Sequence, residues 1–383
     1  MIIISLLARK ARFDMSTIVE ELDKLTVPGQ LFNRLEDGSV RCFACGHRCL
    51  IRPGRRGICQ VRYNQDGELR VPWGYVAAAQ VDPIEKKPFN HVVPGSDVLT
   101  FGMLGCDFHC GYCQNWITSQ AGRDPAAGPD YIQRVTPEQL VASALKSGAT
   151  VIGSSYNEPL ITTEWAVDIF RQASQVGLKC VYISNGNATL ESLQVLRPYL
   201  SAYKIDLKTM QDRQYRALGG VLKNVLDSIR MVYELGLWIE IVTLIVPGFN
   251  DSPEELWEAA RYIVSVSPDI PWHVTAFHPD YKMTDPLPTS VQKLLEAAEI
   301  GQEAGLHYVY AGNIPGRVKS YEDTFCPKCQ TRLVQRRGYV IQEYKITAQG
   351  TCPKCGTRIP GVWTEHPETV RLGGWGMPRQ VNV

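Results

Sequence analysis

From about Val98 onward the chain alternates short apolar runs with amphipathic stretches of helical period. Leu99-Thr-Phe-Gly-Met-Leu opens the series. Pro137-Glu-Gln-Leu-Val-Ala-Ser-Ala-Leu follows as a helix, with Thr136 as its N-cap and proline at the first helical position. Further strands are expected at Ala149–Ser154, Lys179–Ser184, Ala202–Leu207, Trp238–Val246 and Trp272–Phe277, each separated from the next by a helix-length stretch. Repeating strand–helix units of this kind form a parallel sheet covered by helices. About six of them predict an α/β fold of the partial (β/α)6 barrel type rather than the full eightfold barrel.

Function in such barrels gathers where strands end. The polar residues after the apolar runs are Ser154-Ser-Tyr-Asn-Glu-Pro, Ser184-Asn-Gly-Asn, Asp206-Leu-Lys208 and His278-Pro-Asp. A solvated loop explains any one of them, but four in succession at the same end predict a shared pocket.

Cysteine spacing changes the picture most. Of twelve cysteines, eleven fall into three groups, and Cys180 stands alone in an apolar run as a small buried hydrophobe. Cys106, Cys110 and Cys113 form C-x3-C-x2-C, a spacing that folds round an iron–sulfur cube, binds three irons and leaves the fourth open to a small molecule. The alternatives are zinc and unligated buried thiols. Structural zinc normally takes four protein ligands, and no partner cysteine lies nearby in sequence.

Cys42, Cys45, Cys49 and Cys59 can close a complete shell, which suits zinc or a second, fully ligated iron–sulfur cluster; His47 could replace one thiolate. Cys326-Pro-Lys-Cys329 and Cys352-Pro-Lys-Cys355 flank a β-prone segment and predict a zinc ribbon. Arg332, Arg336, Arg337 and Arg358 around it match an ordinary solvated face, so nucleic acid is not expected. The units expected are an N-terminal extension (1–40), a four-cysteine segment (41–95), the barrel (96–316), and the ribbon with its tail (317–383).

Net charge is +1 and the charged fraction 21%, which gives no reason to expect a polyanion binder or a disordered chain. No apolar run approaches the roughly 20 residues that span a bilayer. Clustered thiols in a long chain imply a reducing, cytoplasmic setting. The first fourteen residues place apolar before basic residues, the reverse of a signal peptide, and read as a mis-called start or a frayed extension ahead of an amphipathic segment from Met15.

The cysteine loop, with Tyr112 before its third cysteine, resembles the radical S-adenosylmethionine (SAM) superfamily. The order of four-cysteine segment, Asp82-Pro-Ile-Glu-Lys-Lys-Pro88, cluster loop, Tyr-Asn-Glu-Pro, Ala311-Gly-Asn-Ile-Pro315 and ribbon is similar to that of the radical SAM enzymes of the AmmeMemoRadiSam system, relatives of pyruvate formate-lyase activating enzymes. The likeness runs from about Arg41 to Trp363. It implies a site-differentiated [4Fe-4S] cluster whose open iron holds SAM, reductive cleavage to methionine and a 5′-deoxyadenosyl radical, and hydrogen abstraction from a substrate.

Residue by residue, the resemblance implies that Glu158 accepts the methionine ammonium and that Ser184 and Asn185 contact ribose and carboxylate. Asp206 and Lys208 match the Asp-x-Lys pair that flanks methionine and ribose, and Glu240 lies in the segment beside the adenine. A methionine-binding Gly-Gly-Glu is absent, so Glu158 rests on position within Tyr-Asn-Glu-Pro. Implied partners are an electron donor such as flavodoxin or ferredoxin and a protein, peptide or small-molecule substrate. The competing expectation is a non-catalytic iron–sulfur and zinc module for redox or binding.

Overall fold

A computed structural model describes residues 21–127, 132–374 and 376–381. The expectation about the first fourteen residues lies outside them.

The strands of the main sheet are β1 (Ala78–Pro83), β2 (Asp97–Gly102), β3 (Val151–Ser154), β4 (Lys179–Ser184), β5 (Leu200–Asp206), β6 (Trp238–Ile245), β7 (Trp272–Ala276) and β8 (Val309–Gly312). The ribbon adds β9 (Thr324–Phe325), β10 (Arg332–Arg337) and β11 (Val340–Tyr344), and the tail adds β12 (Arg379–Gln380). Between the strands run α1 (Pro137–Lys146), α2 (Thr163–Gln175), α3 (Leu190–Leu196), α4 (Asp212–Ala217), α5 (Leu222–Glu234), α6 (Pro253–Val266) and α7 (Val291–Glu303). Sheet order is β8-β7-β6-β5-β4-β3-β2-β1-β12, with β2 to β8 parallel, β1 antiparallel to β2 and β12 antiparallel to β1. The sheet is open, as a partial barrel requires.

Six of the parallel strands fall where the apolar runs predict them. The seventh, β8, is a correction to the sixfold count. Two of its four residues, Ala311 and Gly312, belong to Ala311-Gly-Asn-Ile-Pro315, which reads as a loop motif. The helix over 137–146 forms with Thr136 and Gln139 in a reciprocal capping box.

Both faces of the sheet are buried, which is why its strands read as continuous apolar runs. Tyr203 and Ile205 of β5 join the core beneath the helices, where α5 contributes Val225, Ile229 and Val232 at helical spacing. The alternate positions Val98, Val151, Val181 and Ala202 pack instead on Ile84, Phe89 and Val92. The segment 84–93 therefore plugs the sheet's inner face. Just before it, Asp82 is paired with Lys86 and Lys87, each at 2.7 Å.

N-terminal to β1, two small three-stranded sheets carry the four-cysteine segment. One contains a hairpin from Tyr63 to Pro72 turned at Asp66 and Gly67, both with positive φ. These sheets are tied to α2 by a buried bidentate pair, Arg62 with Glu164, at 2.7 Å on both arms.

The ribbon docks at the end of the sheet where strands begin. His91 bonds Pro360 O and Tyr310 Oη, both at 2.7 Å, and Arg336 donates to Asn90 O at 2.8 Å. Glu240, the third residue of β6, accepts from the backbone N–H groups of Asn90 and His91 and from His273 Nε2.

Glu85 in the plug is 5% exposed; Gly95 N–H donates to one carboxylate oxygen, and the other has no partner among the described residues. Burial pushes its carboxyl up to about 7, against the opposing pull of Arg336 and the Gly95 N–H. Between its ordinary range and pH 7 the folded chain keeps a proton that the unfolded chain releases, so this group's contribution to stability falls as pH rises. Glu85→Gln should flatten that fall, with the difference from wild type changing by up to about 1.4 kcal/mol per pH unit. Urea unfolding at pH 5, 6 and 7 measures it, and parallel pH profiles would contradict it.

Candidate active site at the strand ends

The cluster loop leaves β2 and is pinned by its backbone. Gly105 N–H donates to Thr118 O at 2.9 Å, His109 N–H to Leu218 O at 2.9 Å, and Lys282 N–H to Gly111 O at 2.9 Å. Gly105 has φ +92, and a Cβ there would sit 3.0 Å from Cys59 O, so the loop backs directly onto the four-cysteine segment. Phe108 lies on Gly220, where a Cβ would be 2.4 Å from the ring, and Tyr112 meets Phe249 edge-on at 5.7 Å.

Burial pushes all three thiols up, Cys110 to about 12. Asp107 and Glu158 add to the shift at Cys106, whereas Lys208 opposes it at Cys110. Thiolates in this place require a cationic centre between them, and an iron–sulfur core supplies one. The donor set fits that group.

The next three strand ends meet this loop. After β3, Tyr156 adopts φ +69 and its hydroxyl reaches Thr100 Oγ1 at 2.8 Å and Asp82 Oδ2 at 3.1 Å. Asn157 Oδ1 accepts from Met103 N–H at 3.1 Å. Glu158 is 2% exposed and accepts from Ser184 Oγ and Asn185 N–H, both at 2.7 Å, and from Leu160 N–H at 3.1 Å. Burial, and then Asp107, push its carboxyl well above the usual carboxylate range.

After β5, Asp206 stands between Lys204, in direct contact, and Lys208 at 3.3 Å. Burial acts upward on its carboxyl, but the two ammonium groups outweigh it and hold it at about 2. Lys208 is fixed through its backbone, with N–H donating to Tyr215 Oη at 2.9 Å and O accepting from Asn250 Nδ2 at 2.7 Å.

The structure thus brings Glu158, Ser184, Asn185, Asp206 and Lys208 to the rim occupied by Cys106, Cys110, Tyr112 and Cys113. It does not bring Glu240 there. Glu240 is aligned with Lys204, below the strand ends, and its carboxylate is consumed by His273, Asn90, His91 and Trp238. Three further residues belong to the site. Asp107 and Asn187 bond each other at 2.8 Å inside it. Lys204, two residues before Asp206, lies on the same face of β5 and contacts its carboxylate.

Among the described residues, one set of metal-ligand atoms lies within 4.8 Å of one another, namely Cys326, Cys329, Cys352 and Cys355. Cys326 and Cys355, and Cys329 and Cys352, are 3.6 Å apart at sulfur. Tetrahedral thiolates about 2.3 Å from one ion have edges near this length, so the spacing suits a single ion rather than a cluster. The two knuckles match in detail: Thr331 and Thr357 face Cys329 and Cys355 at 3.2 Å, and Gln330 and Gly356 both take positive φ. Cys42, Cys45, Cys49 and Cys59 surround one region beside the cluster loop without that tight convergence.

Residues 101–263 match the Radical SAM superfamily. The chain is also 35% identical over 333 residues to the uncharacterized protein MJ0808 of Methanocaldococcus jannaschii, covering 86% of this chain and 97% of that protein. The chain belongs to the radical SAM superfamily.

Within the radical SAM superfamily it is 23% identical over 205 residues to the pyruvate formate-lyase-activating enzyme of Clostridium pasteurianum, covering 50% of this chain and 84% of that enzyme. Among solved structures, a radical SAM methyltransferase from Sphaerobacter thermophilus aligns over 80% of this chain and 83% of its own, with TM-score 0.45 and 15% identity. A domain of pyruvate-formate lyase-activating enzyme from Bacteroides vulgatus aligns over 43% of this chain and 99% of its own, with TM-score 0.39 and 20% identity.

Gly186 shows how tightly the third of these strand ends is packed. It has φ +79, and a Cβ would lie 2.5 Å from Ile205 Cγ2; Gly177 has φ +82 with nothing within 4 Å. Gly177→Ala should cost about 1–2 kcal/mol from the backbone alone. Gly186→Ala should add about 1–3 kcal/mol of overpacking. Equal losses in urea midpoint for the two variants would show that the strand end yields.

Proposed function

We propose that this chain is an enzyme that cleaves SAM reductively and abstracts hydrogen from a substrate. The observation that carries the reading is the meeting of three thiols, buried at Cys110 and half-buried at Cys106 and Cys113, with an acid-and-amide group (Glu158, Ser184, Asn185) and a charged pair (Asp206, Lys208) on one rim of the sheet. A four-iron cluster held there would supply the one electron that breaks the C5′–S bond of bound SAM, giving methionine and, once a hydrogen atom is taken from the substrate, 5′-deoxyadenosine with the radical left on the substrate. The electron comes from a flavodoxin- or ferredoxin-type donor.

In this reading Cys106, Cys110 and Cys113 ligate the cluster. Glu158 accepts from the methionine amino group. Ser184 and Asn185 orient ribose and carboxylate, Asp206 accepts from ribose or amino group, and Lys204 keeps Asp206 ionised while Lys208 balances the carboxylate. Tyr112 walls the loop. The substrate class we favour is a partner polypeptide, as for the activating enzymes that the chain resembles. The ribbon binds zinc, and Cys42, Cys45, Cys49 and Cys59 hold zinc or a second, fully ligated iron–sulfur cluster. No helix among the described residues is long and apolar enough to cross a membrane, and the thiol-rich sites suit the cytoplasm.

Protein reconstituted anaerobically with iron and sulfide, then reduced in the presence of SAM, should release 5′-deoxyadenosine, measured by chromatography with mass detection. Cys106→Ala, Cys110→Ala and Cys113→Ala should each abolish it. Glu158→Ala and Asp206→Ala, with iron retained, should weaken SAM binding by about 10–100-fold, as loss of one charge-assisted contact does. A reduced, iron-loaded protein that leaves SAM intact would overturn the reading.

A further inference from the structure

Asp107 lies inside the cluster loop, directly after Cys106, and has no part in the SAM cradle described above. Its side chain is wholly buried. Asn185 Nδ2 donates to Oδ1 at 2.7 Å and Asn187 Nδ2 to Oδ2 at 2.8 Å. Oδ1 is also 3.8 Å from Cys106 Sγ, and His47 Nε2 stands 3.8 Å from Oδ2. Among the described residues no lysine or arginine pairs with it. Several other carboxylates are paired with cations at close range, Asp206 with Lys204 and Lys208, Asp82 with Lys86 and Lys87, and Glu164 with Arg62. Asp107 has neutral amides instead, so its charge is solvated but not cancelled.

A buried charge close to a ligand sulfur acts through a medium of low dielectric. Net charge, hydrogen bonds to sulfur and solvent exposure are what set iron–sulfur potentials. An uncancelled carboxylate opposes the arrival of an electron, and so makes the reduced state a stronger donor. On the far side of the loop Lys204 and Lys208 flank the single carboxylate of Asp206, a group of net positive charge that faces Cys110. The field along the loop is therefore uneven, negative at Cys106 and positive at Cys110.

We propose that Asp107 sets the reduction potential of the cluster bound by Cys106, Cys110 and Cys113, holding it low. The proposal rests on the reading that this loop carries a reducible four-iron cluster. Asn185 and Asn187 tune the effect by taking up part of the charge. His47 places the four-cysteine segment within reach of the same carboxylate, and its ring meets Phe108 edge-on at 6.3 Å.

The test is a redox titration of the reduced-cluster resonance, followed by electron paramagnetic resonance on the full chain without SAM. The resonance is assigned by its loss in Cys106→Ala. Asp107→Asn, which removes the charge at constant shape, should move the midpoint to more positive potential with iron content retained. Asn187→Leu, which keeps the carboxylate and removes one donor, should move it to more negative potential. Opposite signs are a signature that general loosening of the loop does not produce.

An unchanged midpoint in an iron-loaded Asp107→Asn chain, or a negative shift there, would overturn the proposal. So would loss of the iron from a folded Asp107→Asn chain, which would make the residue a structural staple. If that variant does not fold, Asn187→Leu decides: a negative shift supports the proposal, and none or a positive one overturns it. Absence of any reducible resonance in the wild-type chain would instead remove the cluster reading on which the proposal stands.

Discussion

Everything at the strand ends depends on holding anions together in a place without water. Three thiols and the carboxylates of Asp107 and Glu158 converge on one loop, and burial acts against the charged form of the thiols and of Glu158. Hydrogen bonds make the arrangement tolerable. Ser184 and Asn185 serve Glu158 while the amides of Asn185 and Asn187 serve Asp107, so a single turn after β4 joins the loop to the β3 end. What remains uncompensated is negative. Such a site is incomplete by itself and suits a cationic inorganic core with a sulfonium-bearing ligand beside it.

The appended units meet the sheet at opposite ends. The four-cysteine segment backs the cluster loop: Gly46 N–H donates to Asn187 O at 2.7 Å, and Arg123 spans Ile58 O and Phe108 O. The ribbon is docked beneath, on the Asn90–Val93 strap, through His91, Arg336 and Glu240. A change at the first therefore reaches the chemistry through a few contacts. A change at the second must pass through the plug.

The strand–helix alternation was legible because every parallel strand but one is an apolar run bounded by polar turns. The exception, β8, borrows its end from a motif that reads as loop. The cysteine loop and the strand-end polar residues were legible for a similar reason: chemistry sits where apolar pattern stops. Asp107, Asn187 and Lys204 were not, since a single polar residue inside a motif or a strand looks like a spacer until its partners across the sheet are known. Glu240 shows the converse. Its position in a strand of the right order placed it with the site, yet register puts it level with Lys204, and His273, two residues into β7, claims its carboxylate.

The central claim is that the three-cysteine loop holds a four-iron cluster with one iron open to SAM. Mössbauer spectra of protein reconstituted with 57Fe, recorded with and without SAM, test it most directly. The account predicts that one iron of a four-iron cluster changes its isomer shift when SAM is added, while the others keep theirs. Spectra that show no such cluster, or a cluster whose irons all remain unmoved by SAM, would contradict it.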